Sequence, residues 1–185
     1  MIERSLIVLK PDAVQRNLVG EILQRFEKIG LKIVGMKMVW VDKKMAGTHY
    51  PERLIPIIGK KTLADWGDMG IETDKNAEEL GTMARNDLID FTTESPVVAI
   101  VLEGVHAVQI IRKVVGHTSP HKANPGTIRG DYSPISMGYA TKRGFGGRNL
   151  IHASGNLEEA KQEIDLWFKP EELHTYKTVQ EDHVR

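Results

Sequence analysis

The chain has 185 residues, 41% of them apolar and 27% charged, with 25 Lys and Arg balanced by 25 Asp and Glu. That composition fits one globular domain with a real core and excludes disorder, low-complexity architecture and a strongly basic nucleic-acid footprint over the whole chain. Cysteine is absent, which excludes disulfides, thiolate metal sites and a cysteine nucleophile. The longest apolar runs are strand-sized and the opening MIERSLIVLK lacks a signal-peptide pattern, so a soluble intracellular protein is expected.

The first element is Leu6-Ile7-Val8-Leu9, a continuous apolar run that suits a strand buried on both faces. Lys10-Pro11-Asp12 ends it, because proline cannot sit in a central ladder. Val19, Ile22, Leu23, Phe26 and Ile29 then recur at helical spacing, with Asn17 as the expected cap and Gly30 as the stop. Residues 31–41 read as a second strand in which Met36, Met38 and Trp40 alternate, and Asp42 opens a helical stretch to about Tyr50. Residues 51–95 carry scattered Gly and many acids and read as less regular, with a helix over 77–91.

Residues 96–102 form the clearest buried strand, closed by Gly104. Ala107, Val108, Ile111 and Val115 mark one face of a helix that stops at Gly116. Residues 117–148 are loop-like, and so long an irregular segment in a compact domain is often functional. Leu150-Ile151-His152 is a short strand, Asn156 and Glu159 resemble a capping box, and Leu157, Ala160, Ile164 and Trp167 face inward from the helix that follows. The polar tail over 169–185 is expected to lie extended on the surface.

This order makes two βαβ-like halves. The fold class is therefore α+β, a ferredoxin-like βαββαβ sandwich with a four-stranded antiparallel sheet covered by helices. A Rossmann unit is disfavoured, because neither G-x-G-x-x-G after a strand nor a Walker lysine motif is present.

His152 is the residue around which chemistry could be built. A neutral imidazole is a capable nucleophile near pH 7, and a carboxylate such as Glu163, one helix length on, can fix the ring. Histidine suits phosphoryl transfer, where the remaining parts are charge clamps and a metal. Lys10, Arg112, Thr118, Arg129 and Asn149 offer those clamps if they converge, since arginine forks and point charges both match phosphate oxygens.

Six fragments resemble the nucleoside diphosphate kinase family in family order. They are Lys10-Pro11-Asp12-Ala13-Val14-Gln15-Arg16 with Leu18-Val19-Gly20-Glu21-Ile22, His49-Tyr50, Pro96-Val97-Val98 with Leu102-Glu103-Gly104, Asn124-Pro125-Gly126-Thr127-Ile128-Arg129-Gly130-Asp131, Asn149-Leu150-Ile151-His152-Ala153-Ser154, and Glu163 to Phe168 with the Lys169-Pro170-Glu171-Glu172-Leu173 that follows. The resemblance implies a ping-pong kinase that moves the γ-phosphate of a nucleoside triphosphate to a nucleoside diphosphate and balances nucleotide pools. In it His152 is the pros-phosphohistidine nucleophile. Lys10, Arg112, Thr118 and Arg129 hold phosphates, Lys10 and Asn149 reach the ribose, Tyr50 and Ser154 lie near the histidine, and Glu163 orients its ring. It also implies Mg2+ held by the nucleotide phosphates and by no protein side chain. The expected partners are ATP and other nucleoside tri- and diphosphates, with no membrane and no specific nucleic acid. The expected assembly is a cytoplasmic homo-oligomer, hexamer or tetramer. A nucleotide-binding module without turnover is the rival class; it would be expected to have lost part of this set.

The chain departs from the family in three places. Residues 1–185 read as a single domain with insertions at about 59–87 and 132–147, long by roughly 25 and 10 residues against ordinary loops. The first insertion displaces the family's aromatic base-stacking residue, whose place falls near Met83 or Ala84. The second ends in Gly146-Gly147 where an aliphatic residue is usual. Either the insertions rebuild the nucleotide mouth, with Trp66, Phe91 or Phe145 as the substitute ring, or they extend a surface or subunit contact. Gly155 stands where the family often has Asp, so a negative side chain is lost there.

Overall fold

The computed structural model describes residues 1–184; Arg185, the last residue of the expected domain and tail, lies outside the described residues. Four strands, β1 (Ile2–Leu9), β2 (Lys32–Val39), β3 (Val97–Val105) and β4 (Ile151–Ala153), form one sheet in the order β2-β3-β1-β4. All three pairings are antiparallel, which is the ferredoxin-like plan expected from the sequence.

Both faces of the sheet are buried, and this is why β1 and β3 are written as continuous apolar runs. On one face Ile7, Leu9, Ile100 and Leu102 pack with Ile22 and Phe26 of α2 (Val19–Lys28) and Ile111 of α6 (Ala107–Val115). On the other, Leu6, Val8, Ala99 and Val101 pack with Ala46 of α3 (Lys43–His49) and with Ile164 and Trp167 of α9 (Leu157–Trp167). Each fully buried aliphatic or aromatic side chain contributes about 1.5–3 kcal/mol, so these two layers supply most of the stabilisation.

Local chemistry sets most boundaries as read. Asp42 caps α3 by accepting the Met45 N–H at 2.7 Å, and Gly116, at φ +87°, ends α6 in a conformation that glycine adopts without strain. Other expectations are corrected. Asn17 does not cap α2; it takes a left-handed φ of 57° after a short first helix, α1 (Pro11–Gln15), and Leu18 holds the cap position. Gly104 does not close β3, which runs on to Val105 because β1 supplies a partner as far as Ile2. The capping box of α9 is half formed. Asn156 accepts the Glu159 N–H, but the Glu159 carboxylate reaches back to the Gly155 N–H rather than to that of Asn156.

The middle of the chain is more regular than its sequence suggests. Residues 51–95 hold α4 (Ile55–Asp68) and α5 (Ala77–Thr93), and the 117–148 stretch holds α7 (Ile128–Tyr132) and α8 (Met137–Lys142). The tail carries a 3-10 turn at Pro170–Glu172 and a last helix, α10 (Glu181–Val184), and it is pinned to β2 rather than loosely extended. The His174 N–H donates to Val34 O at 2.7 Å and the Tyr176 hydroxyl to Ile33 O at 2.6 Å. No helix among the described residues is long and apolar enough to cross a membrane.

Candidate active site

The site is built where β1 and β4 meet α3 and α9. His152 lies on β4 opposite Val8, so its side chain belongs to the face covered by α9. Glu163 and Trp167, four residues apart on α9, share the face that meets it. His152 Nε2 lies 2.8 Å from Glu163 Oε1, off the line of an aligned N–H···O bond. The other carboxylate oxygen accepts the Ser154 hydroxyl at 2.6 Å, and Ser154 is fully buried. With Nε2 against Glu163, Nδ1 is the ring nitrogen left for chemistry.

His49 joins this group from the end of α3. Its Nδ1 accepts the Trp167 Nε1–H at 3.2 Å and lies 3.7 Å from Glu163 Oε1, and its ring packs edge-on against His152 with centroids 4.4 Å apart. Sequence reading missed its part; the signal was its place beside Tyr50, one residue from a site position. Burial holds both imidazoles neutral. Desolvation, then the nearby Lys10 charge, lowers His152 to about 3. Desolvation and the His152 neighbour lower His49 to about 3. Burial also raises Glu163 and Tyr50.

The cations are held by backbone carbonyls. Lys10, at the end of β1, donates to Gly147 O at 3.0 Å and to Asn149 Oδ1 at 2.9 Å, while Asn149 Nδ2 donates to Thr118 O at 2.8 Å. Burial, then the Arg129 charge, lowers Lys10 to about 7. Arg129 donates to Asn149 O, Gly116 O and Ile151 O, and burial beside Arg112 lowers it to about 10. Leu150, between Asn149 and β4, is held at φ +71° because Asp12 Oδ2 accepts its N–H and its carbonyl accepts the Lys10 N–H. A left-handed leucine is uncommon, and it persists only where its surroundings over-determine it.

A cleft of about 620 Å³ collects these groups. Lys10, Tyr50, Arg112, Thr118, Arg129, Asn149, His152 and Glu163 all line it. Ser154 is the one expected site residue that does not; it touches Glu163 from behind. None of Trp66, Phe91 and Phe145 lines the cleft. Trp66 is buried and donates its Nε1–H to Gly138 O, Phe91 is buried, and Phe145 lies outward under the Arg143 and Arg148 guanidiniums. Beside Gly155, the Glu159 carboxylate accepts the Gly155 N–H at 2.8 Å and lines the cleft. A Cβ at 155 would overlap the Glu159 carboxylate, so the two positions are coupled.

His49, His152 and Glu163 form the one cluster among the described residues that could hold a metal, with ligand atoms within 4.8 Å of one another. Two imidazoles and one carboxylate suit zinc chemistry, whereas Mg2+ wants oxygen ligands and keeps phosphates and water. The remaining carboxylates at the cleft are engaged, Asp65 with Lys122 and Glu159 with the Gly155 N–H.

A neutral imidazole braced by a carboxylate and surrounded by lysine and arginine is a phosphoryl-transfer site. The comparisons with known proteins agree. The family model described as Nucleoside diphosphate kinase matches residues 3–55 and 75–173. The chain is 46% identical to a nucleoside diphosphate kinase of Pyrobaculum aerophilum, over 93% of this chain and 98% of that one, and 39% identical to that of Borreliella burgdorferi over 96% and 93%. A crystal structure of an NDP kinase from Pyrobaculum aerophilum superposes with a TM-score of 0.88 at 44% identity, covering 94% of this chain and 99% of that one. A Borrelia burgdorferi nucleoside-diphosphate kinase, solved as a transition-state mimic with vanadate and ADP bound, superposes with a TM-score of 0.81 at 37% identity, covering 99% and 96%. The chain belongs to the nucleoside diphosphate kinase family.

Proposed function

We propose that this nucleoside diphosphate kinase carries the phosphoryl group on Nδ1 of His152. The lone pair of Nδ1 attacks the γ-phosphorus of a nucleoside triphosphate, the bond from phosphorus to the bridging oxygen breaks, and the electron pair leaves on the nucleoside diphosphate. A terminal oxygen of a second diphosphate then takes the phosphoryl group, and the N–P bond breaks to restore the neutral ring. The observation that carries this reading is the placement of His152. Its Nε2 is turned onto Glu163 while Lys10, Arg112 and Arg129 line the same cleft. Charge spread over the phosphoryl oxygens is stabilised by fixed cations more than by covalent chemistry.

In this reading Lys10, Arg112, Thr118 and Arg129 hold phosphates, Lys10 and Asn149 meet the ribose, and Tyr50 borders the histidine. Glu163 and Ser154 are positioning residues, with Ser154 acting through Glu163. Mg2+ would be held by the nucleotide rather than by the protein, since the cleft's own carboxylates are engaged, and when bound it would offset phosphate charge. The chain acts as one domain over 1–185, with insertions near 59–87 and 132–147. It works on ATP and other nucleoside tri- and diphosphates in the cytoplasm, without a membrane or a specific nucleic acid, and keeps their pools in balance. A homo-oligomer, hexamer or tetramer, is supported by Met36 and Met38, 55 and 62% exposed on the edge strand β2, and by Trp40 just beyond it, 65% exposed. Two measurements test the reading. Initial rates with varied ATP and GDP should give parallel double-reciprocal lines, and 31P NMR should place the phosphate on Nδ1. Intersecting lines, or phosphate on Nε2, would contradict it.

A further inference from the structure

Arg129 reaches the cleft from α7, a helix of only five residues. So short a helix is not stable by itself, and tertiary contacts must hold it. On its inner side Ile128 is fully buried, and the Arg129 guanidinium donates to the carbonyls of Gly116, Asn149 and Ile151. Asp131 lies two residues on, about 200° round the helix from Arg129. There it meets Arg25 of α2.

Arg25 grips this outer side at four points. Its Nη2 lies 2.7 Å from Asp131 Oδ2 and donates to the Tyr132 hydroxyl at 2.8 Å. Its Nη1 donates to Gly126 O at 3.1 Å, and its guanidinium carbon lies over the Tyr132 ring, 4.6 Å from the ring centre. The grip is closed on itself. Asp131 Oδ1 accepts the Gly126 N–H at 2.8 Å, and the Tyr132 hydroxyl donates to Glu21, one turn back on α2, at 2.8 Å.

We infer that Arg25 is a positioning residue for the phosphate clamp: through Gly126, Asp131 and Tyr132 it fixes α7 on α2, and so fixes where the Arg129 fork meets phosphate. This rests on the reading above that Arg129 holds phosphate. Arg25 does not line the cleft, so its effect on a nucleotide must pass through α7. It also sits in the last turn of α2, where any cation favours the helix end. That role needs only a point charge, whereas two edges and a face used at once need a planar guanidinium. A cation stabilises a phosphoryl group best when its place is set before the substrate arrives.

Equilibrium dialysis of ADP against the full-length protein reads the effect directly. Arg25→Ala should weaken ADP binding by about three- to tenfold, the worth of one hydrogen bond. Arg25→Lys should lose nearly as much, because lysine keeps the charge without the fork. Tyr132→Phe keeps the ring, loses the hydroxyl and should lose about twofold. A double-mutant cycle with Arg129→Ala separates positioning from general support of the fold. Once Arg129 is gone, Arg25→Ala should cost less than about twofold. Arg129→Lys should show the same attenuation, which keeps the cycle open should the alanine variant fold poorly. Unchanged ADP affinity in Arg25→Ala, or an equal loss with and without Arg129, would overturn the inference while leaving the phosphate reading of Arg129 intact. Unchanged ADP affinity in Arg129→Ala would overturn both.

Discussion

At the scale of single residues, His152 depends on neighbours that keep it neutral and aimed. Glu163 meets Nε2 and Ser154 bonds Glu163, so the two should act in series. Glu163→Gln keeps the shape but loses the charge that stabilises the ring as phosphorus–nitrogen bonding develops. It should lower kcat by about 10- to 100-fold with little change in KM, in the range of other oriented electrostatic contacts. Ser154→Ala removes the bond to Glu163, worth about 1 kcal/mol, together with longer contacts to the Leu6 backbone, and should lower kcat only several-fold; steady-state kinetics of the two variants and their combination would check this. Lys10 makes a pH prediction. Its pKa of about 7 means that it is charged below that pH and neutral above it. As a phosphate clamp it should make kcat/KM fall as pH rises through about 7, since that ratio reports the free enzyme. His152, lowered to about 3, should add no acid limb near 6.5. Lys10→Arg should lose the alkaline decline even where its absolute rate is low, and a pH profile of both proteins decides the point.

At the scale of elements, the strands and the helices between them were not equally legible as sequence. Strands β1 and β3 were legible because burial on both faces writes an unbroken apolar run, and α6 because Val108, Ile111 and Val115 keep helical spacing up to Gly116. Helix α4 was not. Ile55-Pro56-Ile57-Ile58 breaks any amphipathic pattern, Ile57 and Ile58 line the cleft rather than a core, and Gly59 and Gly67 lower helix propensity. Gly59 is there for tertiary reasons, since α4 and α5 cross so closely that a Cβ at Gly59 would overlap the Ala77 carbonyl and one at Gly81 the Ile55 carbonyl. The short α8 was hidden in the same way, being fastened by Trp66 rather than by its own periodicity. Gly59→Ala should therefore destabilise the protein by about 2–4 kcal/mol, as an overpacked backbone contact does, although alanine is the better helix former. Trp66→Phe keeps most of the ring volume and loses one hydrogen bond, so it should cost about 1 kcal/mol. Denaturant melts of both variants would check the order, and a neutral Gly59→Ala would show that the crossing is not as close as described. The catalytic end of the site was legible residue by residue. The parts of His49 and Glu159 were not, because each is brought in by packing rather than by a motif.

At the scale of the whole molecule, burying His49 and His152 in neutral form links folding to pH. Both titrate near 6.5 in the unfolded chain and at about 3 when folded. The unfolded state therefore binds more protons between those values, and the stability present above pH 6.5 is lost as pH falls, by up to about 1.4 kcal/mol per pH unit per histidine. Buried Glu163 and Asp12, both raised, oppose this, so the histidine contribution over the window from about pH 6.5 to 5 is isolated by comparison with a histidine variant. Urea melts across it should show falling stability, with a smaller slope in His49→Gln; a flat profile would contradict the burial of neutral rings. The same burial makes His152 ready to accept a phosphoryl group, and that is the claim to test first. Intact mass should be recorded after mixing the protein with ATP and Mg2+, for the wild type and for His152→Ala. The account predicts one added phosphoryl group in the wild type alone, removed by GDP as GTP forms. An unmodified wild type that still binds nucleotide, or a phosphorylated His152→Ala, would contradict it.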